Sequence, residues 1–272
     1  MNWDFFSSFF RGPNIGKITF FFPTFLLFEI SFSTISSAEL SPAWVCSTLG
    51  LAAGKRYTFA VPCLNLTTSR VALVYYITDR KSSALPILEQ IQEAIEAKVD
   101  LVQIREKDLA SRELFYLAGS ARKLAGESNT KVLVNDRLDI AICAQLGGVH
   151  LGQHSVQPAI IWNYVSEDNF MVAASIHSIN ELKQLADQPV SFVTLGPVFF
   201  TRSKAQFGEP LGLKVLEDVC RNSKVPVLAL GGITHQNYRM CLRAGAAGVA
   251  GISLFQNPKV PLKELVEEIR TA

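Results

Sequence analysis

Charge is scarce in this chain: only 18% of its 272 residues are Asp, Glu, Lys or Arg, and the formal net charge is +2. There is no basic surplus of the kind that nucleic-acid binding leaves on a whole chain. Histidine is scarce too, at four, and no three share a metal-like spacing, which argues against a zinc centre. The five cysteines, Cys46, Cys63, Cys143, Cys220 and Cys241, form no CxxC pair and are too few for a disulfide framework. A reducing, cytoplasmic setting fits that usage. A membrane span is not expected either. The most apolar stretch, ITFFFPTFLLFEISF from residue 18, falls short of the roughly 20 residues needed and is broken by Pro23 and Glu29. What is plentiful is apolar side chain, 49% of the total, enough to bury a core and to exclude disorder over most of the chain.

The apolar residues are not spread evenly. Residues 1–70 hold 11 of the 18 Phe but only 8 charged residues, 5 basic and 3 acidic, so the remaining 202 residues carry 21 of each sign. The net charge belongs to the first segment. Arg11 and Lys17 before its apolar stretch and Ser36-Ser37-Ala38 after it outline a signal peptide, against which Glu29 counts. The expected reading of residues 1–70 is a Phe-rich extension with no assigned fold, whether a leader or sequence upstream of the true start. Residues 71–272 form the domain to be explained.

From Val71 onward, short runs rich in branched apolar residues alternate with longer segments of helical spacing. The strand candidates are 71–78, 100–105, 131–135, 148–151, 171–176, 191–196, 226–230 and 248–252. Helix candidates lie near 85–98, 110–127, 137–146, 157–166, 178–187, 212–222, 234–244 and 261–271. Eight such units in about 200 residues predict a closed (β/α)₈ barrel, because parallel strands need right-handed crossovers and eight of them close the sheet. A doubly wound open sheet is the alternative, but no GxGxxG follows the first strand, which ends Thr78-Asp79-Arg80. Gly231-Gly232 after the seventh strand and Ser253 at the end of the eighth also stand where many barrels bind a phosphate.

In a barrel, chemistry belongs at the C-terminal ends of the strands. The second strand ends Gln103-Ile104-Arg105-Glu106-Lys107, an amide and two cations suited to an oxyanion-rich ligand, or equally to an ion-paired rim. The third ends Asn135-Asp136, where the carboxylate suits Mg²⁺ beside a phosphate or, alternatively, caps the next helix. The fourth runs His150-Leu151-Gly152-Gln153-His154-Ser155, with His150 pointing inward as a satisfied core histidine and His154 as a loop residue. Ser175 and His177 close the fifth. After the sixth comes Pro197 and then Thr201-Arg202-Ser203-Lys204, whose hydroxyls and point charge fit a phosphate or a leaving diphosphate.

Taken together these residues resemble the thiamine phosphate synthase family. The resemblance covers about residues 73–257 and is carried by YYITDR (75–80), QIREK (103–107), VNDRLDIA (134–141), GVHLGQ (148–153), SIH (175–177), LGPVFFTRSK (195–204), LALGGI (228–233) and AGAAGVAGIS (244–253). Their number, their order and their place at successive strand ends make the set specific. The resemblance implies a (β/α)₈ fold and a transferase that joins a hydroxymethylpyrimidine diphosphate to a thiazole phosphate, giving thiamine phosphate and diphosphate. It implies that residues 103–107, with Ile104 and Glu106 among them, bind the pyrimidine diphosphate, and that Asn135 and Ser175 lie near the pyrimidine. Arg105, Lys107 and Lys204 are the implied catalytic cations and Asp136 the implied Mg²⁺ ligand. The thiazole phosphate falls to Thr201, Arg202, Ser203, Gly232 and the Ile252-Ser253 backbone. The implied partners are therefore small phosphorylated molecules.

One departure stands out. Where the family usually continues GVHLGQ with an acidic residue and an aspartate that is the second Mg²⁺ ligand, this chain has His154 and Ser155. Serine offers only a neutral oxygen, so the ion would rest more on Asp136, water and diphosphate. The sister family of thiazole tautomerases is the nearest alternative, but in one branch its catalytic histidine falls where Pro197 stands here. A non-catalytic binder of thiamine precursors is the alternative from another class, and the retained Arg105, Lys107, Asp136 and Lys204 weigh against it.

Overall fold

Short strands of four to six residues, apolar on both faces, can be stable only where both faces are covered. In a computed structural model of the chain that requirement is met by closure. The structure describes the backbone of residues 47–52 and 55–59, and residues 71–166, 169–185, 188–201 and 209–272. Ahead of the barrel, β1 (Ser47–Ala52) and β2 (Lys55–Phe59) pair antiparallel, Ser47 opposite Phe59 and Ala52 opposite Lys55. These two strands fall within residues 1–70, to which the sequence reading assigns no fold; the Phe-rich stretch from residue 18 lies outside the described residues. Among the described residues no helix is long and apolar enough to cross a membrane.

The eight strands β3 (Leu73–Ile77), β4 (Leu101–Ile104), β5 (Lys131–Asn135), β6 (Gly148–Leu151), β7 (Met171–Ile176), β8 (Phe192–Leu195), β9 (Val227–Leu230) and β10 (Gly248–Gly251) close a parallel barrel in sequence order, with β10 hydrogen-bonded to β3. Each lies inside its predicted run. Helices α1 (Ile87–Glu96), α2 (Ser111–Ala125), α3 (Leu138–Cys143), α4 (Pro158–Ile161), α5 (Ile179–Gln184), α6 (Gly212–Asn222), α7 (Tyr238–Arg243), α8 (Ser253–Gln256) and α9 (Leu262–Arg270) lie between and after the strands. Their apolar stripes account for their placement: α2 buries Leu114, Ala118, Ala121 and Ala125, at spacings of three and four. Its Glu113 carboxylate accepts from the Ala110 N–H at its start, and Gly126, at φ 51°, ends it.

Several helices are shorter than their spacing predicts, the 157–166 candidate narrowing to Pro158–Ile161, and for two of them the reason is identifiable. At the start of the 234–244 candidate, Asn237 accepts from the Thr234 N–H (2.7 Å) and donates to the Gly232 carbonyl (2.9 Å), so these residues make a turn and α7 begins only at Tyr238. The 137–146 candidate stops at Cys143 because Gln145 turns into the left-handed region at φ 53°. The short α8 is not anticipated by the sequence; it is the extra helix after the last strand that phosphate-binding barrels often carry.

Strand residues alternate between two cores. Val74, Tyr76, Val102, Ile104, Val132, Val134, Val149 and Leu151 pack outward with helix residues, whereas Tyr75, Ile77, Leu101, Leu133, Met171, Ala173, Phe192, Leu228 and Ala250 fill the barrel interior. At the N-terminal end, Arg270 of α9 pairs with Asp100 (2.8 Å), whose other oxygen accepts from the Val74 N–H, tying the last helix to the first barrel strand.

Candidate active site

The interior positions above that core are divided. On β4 to β8 they are polar: Gln103, Asn135, His150, Ser175 and Thr194. On β9 and after β10 they are apolar, Leu230 and Ile252, packed against the core that includes Ile77 of β3. The floor of the C-terminal mouth therefore has a polar arc and an apolar arc, suited to a flat heterocycle with one polar edge.

The polar arc is hydrogen-bonded within itself. Gln103, 1% exposed, reaches Asn135 Oδ1 through its side-chain amide (3.4 Å). His150 stands 3.0 Å through Nδ1 from the Tyr75 hydroxyl, and through Nε2 2.8 Å from Ser175 Oγ and 3.4 Å from Thr194 Oγ1; the two hydroxyls are 3.2 Å apart. Burial, helped by the nearby Arg105 charge, pulls the His150 imidazole down to a pKa of about 3, so it is neutral at working pH. The expected satisfied core histidine is thus present, and His154 is an exposed loop residue.

Over the floor stands the loop after β4, and its apparent simplicity in sequence is misleading. Glu106, 4% exposed, turns inward to accept from Thr78 Oγ1 (2.7 Å), the Arg80 N–H (3.1 Å) and the Arg80 guanidinium (3.2 Å). Thr78 Oγ1 in turn accepts from the Arg105 N–H (3.0 Å). Ile104 packs its side chain against the helices, so of these two residues in the predicted ligand run the first offers the mouth only backbone and the second is engaged as a brace. Outside, Arg80 and Lys81 share Asp108 and hold its carboxyl well below the usual range. The rim ion pairs are made by Arg80 and Lys81, while Arg105, half-buried, has no salt bridge among the described residues. Lys107 is exposed beside it.

At the end of β5, Asp136 has φ 68° and donates its N–H to the His150 carbonyl (2.9 Å). It does not cap α3, which starts after Arg137 with no side-chain cap. Instead its carboxylate accepts a hydrogen bond from Ser155 Oγ, which also accepts from the Gly152 N–H (2.7 Å). The departure at Ser155 is thus in direct contact with the expected metal ligand. Among the described residues no three His, Cys, Asp or Glu side chains gather as a metal site.

On the opposite side, the segment after β8 is stitched to β9 by Val198 N–H to Leu230 O (2.9 Å) and Phe199 N–H to Gly231 O (3.0 Å). The stitching explains the glycine pair. Gly232 is at φ 65°, and a Cβ there would come within 2.5 Å of the Phe200 carbonyl; at Gly231 it would meet Pro197 at 2.6 Å. His177 Nδ1–H donates to the Gly196 carbonyl, fixing the start of the same segment. Thr201 is half-buried at its end. Arg202, Ser203 and Lys204 lie outside the described residues. Ile252 and Ser253 begin α8 next to the glycine turn's strand neighbour β10. Tyr75, Thr194, Thr78 and Arg80 are site residues that the sequence reading does not single out; counting by twos back from Ile77 and forward from Phe192 would have put the first two in the interior.

The comparisons with known proteins agree with this geometry. A family model described as thiamine monophosphate synthase matches residues 74–255. The chain is 40% identical over 182 residues to a putative thiamine-phosphate synthase 2 of Aquifex aeolicus, covering 67% of this chain and 96% of that one. It is 33% identical over 181 residues to the thiamine-phosphate synthase of Clostridium novyi, covering 66% and 88%. Among solved structures it is similar to a thiamine phosphate pyrophosphorylase from Pyrococcus furiosus, with TM-score 0.64 and 29% identity over 73% of this chain and 96% of that one. With a barrel closed in sequence order, a polar arc under a loop of cations and a family match across the whole of it, the chain belongs to the thiamine monophosphate synthase family.

Proposed function

We propose that this chain is a thiamine phosphate synthase, a transferase that couples hydroxymethylpyrimidine diphosphate to thiazole phosphate with release of diphosphate. The observation that carries the reading is Arg105, whose backbone N–H is held by the Thr78–Glu106 brace beside the polar floor and whose side chain has no salt bridge among the described residues. In this reading Gln103, Asn135 and Ser175 hold the pyrimidine, and Arg105, Lys107 and Lys204 bind its diphosphate. Thr201, Arg202 and Ser203, with the backbone at Gly232 and Ile252-Ser253, receive the thiazole phosphate. The bond between the pyrimidine methylene carbon and the diphosphate oxygen breaks, and diphosphate leaves with the electron pair. The thiazole nitrogen then forms the new C–N bond. The cations stabilise the departing charge and the floor holds the two rings in line, so no general base is needed.

Mg²⁺ fits the donor set as a weakly held ion: one carboxylate, Asp136, with the Ser155 oxygen at its side, the remaining positions falling to water and substrate oxygens. When bound, it would neutralise charge on the diphosphate. Against the tautomerase alternative, Pro197, next to Gly231, stands where one branch of that family carries its catalytic histidine. The small anionic substrates, the balanced charge of the barrel and the sparse cysteines support a cytoplasmic enzyme without nucleic-acid partners. The test is to incubate the full chain with both phosphorylated substrates and Mg²⁺ and to follow thiamine phosphate. Its formation supports the synthase. No product, with isomerisation of a thiazole carboxylate phosphate, would give the tautomerase; binding without either would leave a binder.

A further inference from the structure

The hydrogen atoms around His150 can be assigned, because Tyr75, His150 and Thr194 are buried and their partners are few. Tyr75 is fully buried, and among the described residues its hydroxyl has one hydrogen-bond partner, His150 Nδ1. Burial keeps the phenol protonated, well above its ordinary pKa, and a buried O–H left without an acceptor is costly. If Nδ1 carried the proton it would donate to Tyr75, and the phenolic hydrogen would have nowhere to go. With Nδ1 as the acceptor the pair is satisfied, and the ring proton of this neutral imidazole must sit on Nε2.

The consequence passes to the next pair. Nε2–H, a donor only, is nearest to Ser175 Oγ. Thr194, 1% exposed, therefore cannot give its hydroxyl hydrogen to Nε2, and its remaining acceptor in this group is Ser175 Oγ. Ser175 Oγ thus accepts from both His150 and Thr194, which fills its two lone pairs. Its own hydrogen must point elsewhere. Ser175 is only half-buried, and the open direction is the mouth.

We propose that Tyr75 and His150 are positioning residues: they lock the Nε2–H tautomer and so force the Ser175 hydroxyl to act as a hydrogen-bond donor toward the bound heterocycle. The ligand this selects presents an acceptor, a bare ring nitrogen, over Ser175. An N–H there would meet a hydrogen instead of a lone pair. The choice of the aminopyrimidine as that heterocycle rests on the synthase reading; the tautomer does not.

Two measurements decide it. The first is ¹⁵N NMR of the full chain with labelled histidine, His150 being assigned by loss of its signals in His150→Asn. A pyridine-type Nδ1 and a pyrrole-type Nε2 are expected, and the reverse pattern would overturn the proposal outright. The second is a kinetic cycle with Tyr75→Phe and Ser175→Ala. Tyr75→Phe should raise KM for the pyrimidine diphosphate by about fivefold, the scale of one neutral hydrogen bond, and leave KM for the thiazole phosphate unchanged. In the Ser175→Ala background the same change should have no further effect on that KM. An equal rise of both KM values, or full additivity with Ser175→Ala, would mean that Tyr75 and His150 act on packing alone. If Tyr75→Phe does not fold, the NMR pattern and Ser175→Ala against Ser175→Thr, which keeps the hydroxyl, still decide. Failure of the unmodified chain to bind any pyrimidine would remove the synthase reading and this ligand, while the spectrum would still report the tautomer.

Discussion

Ser155 Oγ donates to the carboxylate of Asp136, so the hydroxyl that stands at a family aspartate position already touches the one acidic side chain expected to hold the metal. A second carboxylate at that place would add charge and oxygen ligands for a hard cation but, without one, would repel Asp136. Ser155→Asp should therefore bind Mn²⁺ about tenfold more tightly in the presence of diphosphate, by isothermal titration or the loss of free-ion EPR signal. In chelator the same variant should melt below the unmodified chain. A variant that gains no metal affinity would show that Asp136 is not a metal ligand.

The brace beneath Arg105 makes a separate prediction. Thr78 is fully buried and does two things at once, accepting from the Arg105 N–H and donating to Glu106. Thr78→Val keeps the shape and removes both. Loss of about 2 kcal/mol is expected, from one broken bond and one buried carboxylate oxygen left short of a donor, read by urea denaturation. KM for the diphosphate substrate should rise as well, since the strand end that carries Arg105 loses its anchor. Unchanged KM with reduced stability would confine the brace to folding.

The barrel was legible in the sequence because short branched apolar runs, intervening helical spacing and their regular alternation all pointed the same way, and β3 to β10 each fall within a predicted run. What escaped depends on partners distant in the chain. Glu106 reads as part of a ligand run, and only the approach of Thr78 and Arg80, 26 to 28 residues earlier, reveals it as a brace. Tyr75 and Thr194 look like ordinary strand residues until His150 joins them across the barrel. The turn at Thr234–Asn237 was missed for a local reason: Asn237 takes backbone bonds that would have started the helix, and only the folded chain shows that its side chain does so.

His150 gives stability a defined pH dependence. Its pKa is depressed from 6.5 to about 3 in the folded chain, so between these values the unfolded state binds a proton that the folded state does not. The contribution of this group is complete above pH 6.5 and is lost as pH falls toward 3, at up to about 1.4 kcal/mol per pH unit. Denaturation of the unmodified chain and of His150→Asn at pH 7, 6 and 5 should give a difference in stability that narrows steadily with acid. A constant difference would mean that the imidazole titrates normally in the fold.

Gly232 is the point where the two loops of the expected phosphate site meet. At φ 65°, with the Phe200 carbonyl 2.5 Å from where a Cβ would stand, Gly232→Ala adds both left-handed strain and a backbone clash. Strain alone is worth about 1–3 kcal/mol. A loss near 2 kcal/mol would lower Tm by roughly 4–8 °C in a domain of this size. The clash pushes the segment after β8 away from β9, so KM for the thiazole phosphate should rise more than KM for the pyrimidine diphosphate. Equal effects on both substrates would separate the glycine turn from the thiazole phosphate.

Lys204 tests the leaving-group side of the mechanism. The expected chemistry has no general base, so rate depends on how well fixed cations stabilise diphosphate as it departs, and removing one such contact commonly costs tenfold or more. Lys204→Ala should reduce kcat by at least about tenfold. Because the charge matters most where negative charge develops, KM for the diphosphate substrate should change less than kcat. Lys204→Arg keeps the charge but spreads it over a planar fork, and should recover part of the rate. The measurement is single-turnover formation of thiamine phosphate, which isolates bond cleavage from product release. A Lys204→Ala variant with unchanged single-turnover rate would leave Arg105 and Lys107 as the cations that drive departure, and would move Lys204 out of the reaction.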